Sequence, residues 1–190
     1  LRRQRQMCIR DSRKTSLQFI QQEMNNITAL SNETCQLGIQ SRNMVFYIAK
    51  KDSPQPIRLM SSVGKQLPLY CTGLGRALLA YKSEEEIRSL FPEVLTAYTP
   101  HTIATINDLL KELELTRQRG YAVEHEETNL MVNCIAVSLD YNNAPIAALS
   151  ISIPTFRISE SKEKEAVQIL WEAKQRIETH FKMYGVDFGN

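Results

Sequence analysis

Cysteine is scarce and scattered. Cys8, Cys35, Cys71 and Cys134 are too far apart for a C-x-x-C metal or redox pair. Four thin-spread thiols fit a reduced, cytoplasmic protein better than a disulfide framework. Histidine is rarer still: His101, His125 and His180 are all there is. Seven glycines and seven prolines in 190 residues leave no room for a low-complexity or collagen-like segment. There is no apolar run of about 18 residues, so no transmembrane helix is expected. No charged segment followed by an apolar run opens the chain, so no signal peptide is read.

Net charge is also small, at +2, but it is unevenly placed. Arg2, Arg3, Arg5, Arg10, Arg13 and Lys14 outweigh Asp11, and the remaining 176 residues are mildly acidic. That balance argues against a broad nucleic-acid face on the body of the protein. Residues 1–14 lack an apolar period and are unlike the rest of the chain. They are expected to be a non-native or truncated basic tail; a basic arm touching DNA is the other reading. A chain of this length, 43% hydrophobic, can bury one ordinary core.

The apolar pattern begins at Leu17. Leu17, Ile20, Met24, Ile27 and Leu30 recur at helical steps, with Ser12 or Ser16 as a cap. QLGIQ and MVFYIAK flank the polar SRN and predict a hairpin. IRLMS predicts a further short strand. Ser83 and Glu86 have capping-box spacing, and Thr105 and Asp108 repeat it. The helix that Thr105 opens should stop at Gly120. YAVEHEE, VNCIAVSLD and PIAALSISI predict strands, the last two joined by a tight Tyr141–Ala144 turn and therefore antiparallel. A closing helix is predicted from about Glu160 to Phe181. Helices mixed with locally connected strands indicate an α+β domain.

Alternation along the last two strands sorts side chains by size. Ile135, Val137 and Leu139, with Leu149, Ile151 and Ile153, are bulky. Cys134, Ala136 and Ser138, with Ala148, Ser150 and Ser152, are small and point the other way. Such a face either receives a closely packed helix or floors a cavity with a few polar groups. LPLYCTGLGRALLAY raises the matching question of what Gly73 and Gly75 do at a helix start. Thr72 is a plausible cap, and unpaired amides there suit an anion. The phosphate-loop pattern is absent, and the dinucleotide pattern fails at Leu78. A carboxylate and a plain tight turn stay open.

LPLYCTGLGRALLAY, GYAVEHEETNLMVNCIAV and PIAALSISIPTFRIS resemble, in order and spacing, the effector-binding domain of IclR-type bacterial transcription regulators. The resemblance runs from about Thr15 to Phe181 and is strongest to the sugar-acid regulators of the KdgR and YiaJ groups. It implies a GAF- or profilin-like curved antiparallel sheet flanked by helices. It implies an effector-binding domain over residues 15–190, with a linker helix over 15–31. The implied ligand is a small organic or sugar acid, such as a 2-keto-3-deoxy sugar acid. Carried over by position, the contacts fall on Leu59, Gly73, Leu74, Glu124, Val132, Cys134, Ser150 and Ser152. The resemblance also implies a homodimer or tetramer. It implies operator DNA as a partner only through a winged helix-turn-helix domain, for which fourteen residues are too few. No cofactor, metal, membrane or catalytic activity is expected.

Two rivals stand beside it. Cys134 with His125 would make a nucleophile and base for a small-molecule enzyme. The flanking helices could instead make a stand-alone oligomerisation module. A metal site on Glu124, His125, Glu126, Glu127 and Cys134 is disfavoured, because Asn129 breaks the H-E-x-x-H spacing.

Overall fold

The computed structural model describes residues 15–57 and 62–188. The expected strand IRLMS and the candidate Leu59 fall largely or wholly outside these residues, as does the basic tail. Helix α1 spans Ser16–Ser31, and strands β1 (Thr34–Ser41) and β2 (Met44–Lys51) form the first hairpin. Strand β3 (Gln66–Pro68) leads through a 3-10 turn into the short helix α2 (Gly73–Leu79). Helices α3 (Glu84–Leu90) and α4 (Ile106–Arg119) follow, then β4 (Ala122–His125), β5 (Val132–Tyr141), β6 (Ala144–Pro154) and the long α5 (Glu160–Tyr184).

The six strands form one curled antiparallel sheet in the order β3-β2-β1-β6-β5-β4. Register shifts at Leu37/Gly38 and Leu139/Asp140 add local bend and twist. The fold is thus the expected α+β one. Asn142 and Asn143 both take positive φ in the β5–β6 turn, the geometry that a two-residue hairpin asks for.

The bulky and small faces separate as the alternation requires. Ile135, Val137, Leu139, Leu149, Ile151 and Ile153 are buried against α1 and α5. Each such side chain contributes roughly 1.5–3 kcal/mol by leaving water. Ala122, Ala136 and Ala148 lie on the opposite face under α2, beside Leu74, Ala77 and Leu78. Lys174 of α5 ties that helix to the sheet, reaching the Ser138 carbonyl and Asp140 Oδ2, each at 2.7 Å.

Two details of the helix reading are corrected. Thr15, not Ser16 or Ser12, caps α1: its side chain accepts from the Gln18 amide while Gln18 reaches back to Thr15 N. Leu30 is exposed, and Ser31 and Thr28 are buried instead; Lys162 of α5 reaches the Ser31 carbonyl at 2.7 Å. The Ser83 and Thr105 caps and the left-handed Gly120 stop are present as expected.

Candidate functional site

α2 lies across the small face of the sheet, and its entry is built tightly. Thr72 Oγ1 accepts from the Gly75 amide at 3.1 Å and donates to the Pro68 carbonyl at 3.1 Å. That closes the 3-10 turn onto the helix. The two glycines do different work here. A Cβ on Gly75 would sit 2.1 Å from the Leu69 carbonyl oxygen, so Gly75 is required by the turn itself. A Cβ on Gly73 would sit 3.2 Å from Cys134 Cβ and 3.4 Å from Ala136 Cβ. Gly73 therefore brings the helix start down onto the floor of the sheet. Gly38 serves the same approach from β1, where a Cβ would meet Leu74 Cδ1 at 3.1 Å.

Beneath Gly73 the strands line up a buried polar row. Cys134 of β5 pairs with Ser152 of β6 on one side and with Glu124 of β4 on the other. Gln36 of β1 pairs with Ser150. Ser152 Oγ donates to Gln36 Oε1 at 2.9 Å, and Ser150 reaches the same oxygen at 3.5 Å, a weak bond. Since the Ser152 hydrogen is used there, the 3.1 Å contact between Cys134 Sγ and Ser152 Oγ is donated by the thiol. Val132 is half-buried on this face, facing Pro154. Cys134 is also half-buried, although protein surrounds it deep in the molecule.

Glu124 is the charged end of the row and is 1% exposed. Its Oε1 accepts from the Glu127 and Thr128 amides. Its Oε2 is buried with no hydrogen-bond partner. Burial pushes the carboxyl up to about 7; the Glu127 amide, the Cys134 thiol and the Thr128 amide pull the other way and lose. Cys134 influences this charge but makes no hydrogen bond of acceptable geometry to Oε2. Burial, then the Glu124 carboxyl, raises the Cys134 thiol well above its usual value, so it is a poor nucleophile.

The loop after β4 is pinned by an arginine that the sequence reading missed. Arg76 of α2 is 2% exposed. Its Nε donates to the Tyr70 carbonyl at 2.9 Å and its Nη1 to the Val123 carbonyl at 3.0 Å. Its Nη2 pairs with Glu127 Oε2, which also accepts from the Ile103 amide at 3.1 Å. Gln36 was missed too, although β1 carries the same signal: Thr34, Gln36 and Gly38 alternate small and polar. A buried arginine gives no such signal, because on a helix it reads as a solvent residue.

The structure thus brings Gly73, Leu74, Glu124, Cys134, Ser150 and Ser152 to one face, with Val132 at its end. It does not bring His125 there. His125 is exposed on the other side of β4, with Nδ1 3.0 Å from Asn133 Oδ1, so the Cys134–His125 pair is not formed. Among the described residues no group of three His, Cys, Asp or Glu is placed to hold a metal ion. None of their helices is long and apolar enough to cross a membrane.

A separate open cleft of about 630 Å³ lies at the far end of α2, between α3, α4 and the sheet. None of the expected site residues lines it. Two of its polar side chains are already engaged: the Tyr81 hydroxyl with Asp140 at 2.8 Å and Ser138 at 3.1 Å, and Arg117 with Glu114 and the Ala80 carbonyl. Of the residues lining the two places, only those of the polar row include a buried, unanswered oxygen.

Comparison with known proteins agrees with this architecture. The family model described as bacterial transcriptional regulator IclR C-terminal matches residues 13–179. The HTH-type transcriptional regulator KdgR of Dickeya chrysanthemi is 38% identical over 157 residues, covering 82% of this chain and 52% of that protein. The HTH-type transcriptional repressor AllR of Escherichia coli is 33% identical over 158 residues, covering 82% of this chain and 58% of its own. The chain therefore spans little more than half the length of these relatives. The crystal structure of the C-terminal domain of E. coli KdgR superposes with a TM-score of 0.78 at 32% identity, covering 86% of this chain and 96% of that one. From its matched domain, its relatives and its curled sheet, the chain belongs to the IclR family of bacterial transcriptional regulators and carries that family's C-terminal domain.

Proposed function

We propose that this domain senses a small organic or sugar acid and passes its occupancy to a DNA-binding domain of the full-length regulator. The reading rests on one observation above the rest: the buried row Gln36–Ser152–Cys134–Glu124 beneath Gly73, which ends in an unpartnered oxygen. A structure that only needed to pack α2 would not keep a carboxyl, a thiol and two hydroxyls under it, since each buried polar group costs free energy unless it is answered. The Gly73 and Leu74 amides are the first two of α2 and have no acceptor within the helix; the Gly75 amide is taken by Thr72. In this reading those two amides hold the acid's carboxylate, and Ser150 and Ser152 turn their hydrogens from Gln36 Oε1 to the same group or a neighbouring keto oxygen, or accept from a ligand hydroxyl. Val132 supplies apolar wall, the role that the resemblance also gives to Leu59, which lies outside the described residues.

Signalling then follows as a population shift. An acid that fits one arrangement of α2 over the sheet better than another favours that arrangement by the difference in affinity and no more. In a cytoplasmic homodimer or tetramer this repositions winged helix-turn-helix domains on operator DNA. The resemblance to sugar-acid regulators makes a 2-keto-3-deoxy sugar acid the first effector to try. A thermal-shift screen of organic and sugar acids tests the reading, because an acid at 100 times its Kd adds about 2.7 kcal/mol of stability. At least one keto or sugar acid should raise the melting temperature. No shift with any acid, together with a shift from a non-acidic metabolite, would reject it.

A further inference from the structure

We propose that Glu124 receives the effector as a neutral acid, its free Oε2 donating a hydrogen bond to an acceptor oxygen of the ligand, so that binding is coupled to proton uptake from solvent, approaching one proton above neutral pH. The inference rests on the effector pocket proposed above and adds the charge state of its one carboxyl end.

The geometry supplies the argument. Two carboxyls, Glu124 and Glu127, share this corner with a single guanidinium. Arg76 spends its charge on Glu127 and its remaining bonds on two carbonyls. Glu127 is thus paired, and among the described residues no cation is paired with Glu124. Ionising Glu124 would leave an uncompensated negative charge in a buried site, and an anionic ligand would add a second. Protonating it leaves the corner neutral. Oε1 already accepts two amides, so the proton belongs on Oε2, which has no partner among the described residues. An acceptor oxygen on the ligand answers that hydrogen.

The groups around Glu124 do not compete for this titration. Tyr47 from β2 and Cys134 from β5 are both driven further from ionisation by burial. Cys71, from the 3-10 turn, is pushed up to about 12 by burial. Arg76 from α2 is engaged with Glu127 in the loop, and His125 faces the opposite side of β4. Glu124 itself, at about 7, is the group that changes charge near neutrality. The same placement sets a preference between ligand oxygens. A neutral Glu124 selects a keto or carboxylate oxygen at that point, whereas an ionised one would select a hydroxyl donor.

The test uses pyruvate, a 2-keto acid that stays ionised throughout, titrated calorimetrically into the chain and into Glu124→Gln between pH 6 and pH 8.5. For the unsubstituted chain, Kd should rise toward tenfold per pH unit above about 7, with proton uptake seen as a dependence on buffer ionisation enthalpy. In Glu124→Gln that pH dependence should vanish. A flat Kd in the unsubstituted chain, or one that still climbs in Glu124→Gln, overturns the proposal while leaving the acid-sensing reading in place. A readout without ligand runs alongside: the infrared carbonyl band of a buried protonated carboxyl should be present at pH 6 and missing in Glu124→Gln. Its absence at pH 6 overturns the proposal whatever binds. Failure of both pyruvate and a panel of larger keto and sugar acids to bind, with the band present, overturns the recognition role of Glu124, while the effector-pocket reading falls only with the thermal-shift screen above.

Discussion

Replacing Gly75 with alanine adds one methyl group to a place with no space for it. The new Cβ would lie 2.1 Å from the Leu69 carbonyl oxygen, 2.4 Å from Leu69 Cα and 2.6 Å from its carbonyl carbon. All three are backbone atoms, so no side chain can swing aside. Separation to van der Waals distance needs a shift of about 1 Å between the 3-10 turn and α2. That shift pulls on the Thr72 cap and on Arg76, which is held by Tyr70, Val123 and Glu127. Overpacking of this kind costs about 1–3 kcal/mol when side chains can yield, so a backbone clash should cost about 3 kcal/mol or more. In a domain of this size that lowers the melting temperature by roughly 6–12 °C. The conformational explanation is excluded in advance, since Gly75 is not among the positive-φ glycines. Gly73→Ala provides the control. Its Cβ would meet Cys134 and Ala136 at 3.2 Å and 3.4 Å, which neighbours can relieve by a few tenths of an ångström, for about 1 kcal/mol. Urea unfolding of the two variants should show the Gly75 change costing clearly more. Equal costs, or a Gly75→Ala loss below about 1 kcal/mol, would refute the assignment of Gly75 to the turn and Gly73 to the sheet floor.

Arg76→Met should destabilise by about 3–5 kcal/mol in urea unfolding, because it strands a buried Glu127 carboxylate, and adding Glu127→Gln should recover part of the loss. Ser150→Ala with Ser152→Ala should weaken acid binding by about 1–3 kcal/mol in calorimetry, roughly 5- to 150-fold in Kd, while leaving the domain folded. Glu124 makes stability itself pH-dependent. Below about 4.5 both states hold the proton; above that the unfolded chain ionises while the folded one does not, so stability falls until about pH 7 and then levels. The drop attributable to this group is roughly 3 kcal/mol, and Glu124→Gln should remove it from a stability–pH profile.

The fold was largely legible in the sequence because its signals are local. The Asn142–Asn143 turn, the Ser83 and Thr105 caps and the size alternation of β5 and β6 each act within a few residues, and each is present as read. The small face was also legible, since strand alternation alone puts Cys134, Ala136, Ser150 and Ser152 together. What pairs across it was not. Gln36 reaches Ser152 from 116 residues away, and Arg76 meets Glu127 across 51, so no window of sequence contains either contact. Glu124 shows the same limit: its position marks it as a contact, but only the fold shows its Oε2 buried without a partner among the described residues and its carboxyl pushed up by burial. The α1 cap slipped by one residue because Thr15 and Ser16 are chemically equivalent there, and the Gln18 reply decides between them.

A crystal structure of this chain with an acid that raises its melting temperature tests the central claim most directly. The account predicts the carboxylate within hydrogen-bond distance of the Gly73 and Leu74 amides and the Ser150 or Ser152 hydroxyl, with a second oxygen against Glu124 Oε2. An acid seated instead in the open cleft beside Tyr81 and Arg117, with the row under Gly73 untouched, would contradict it.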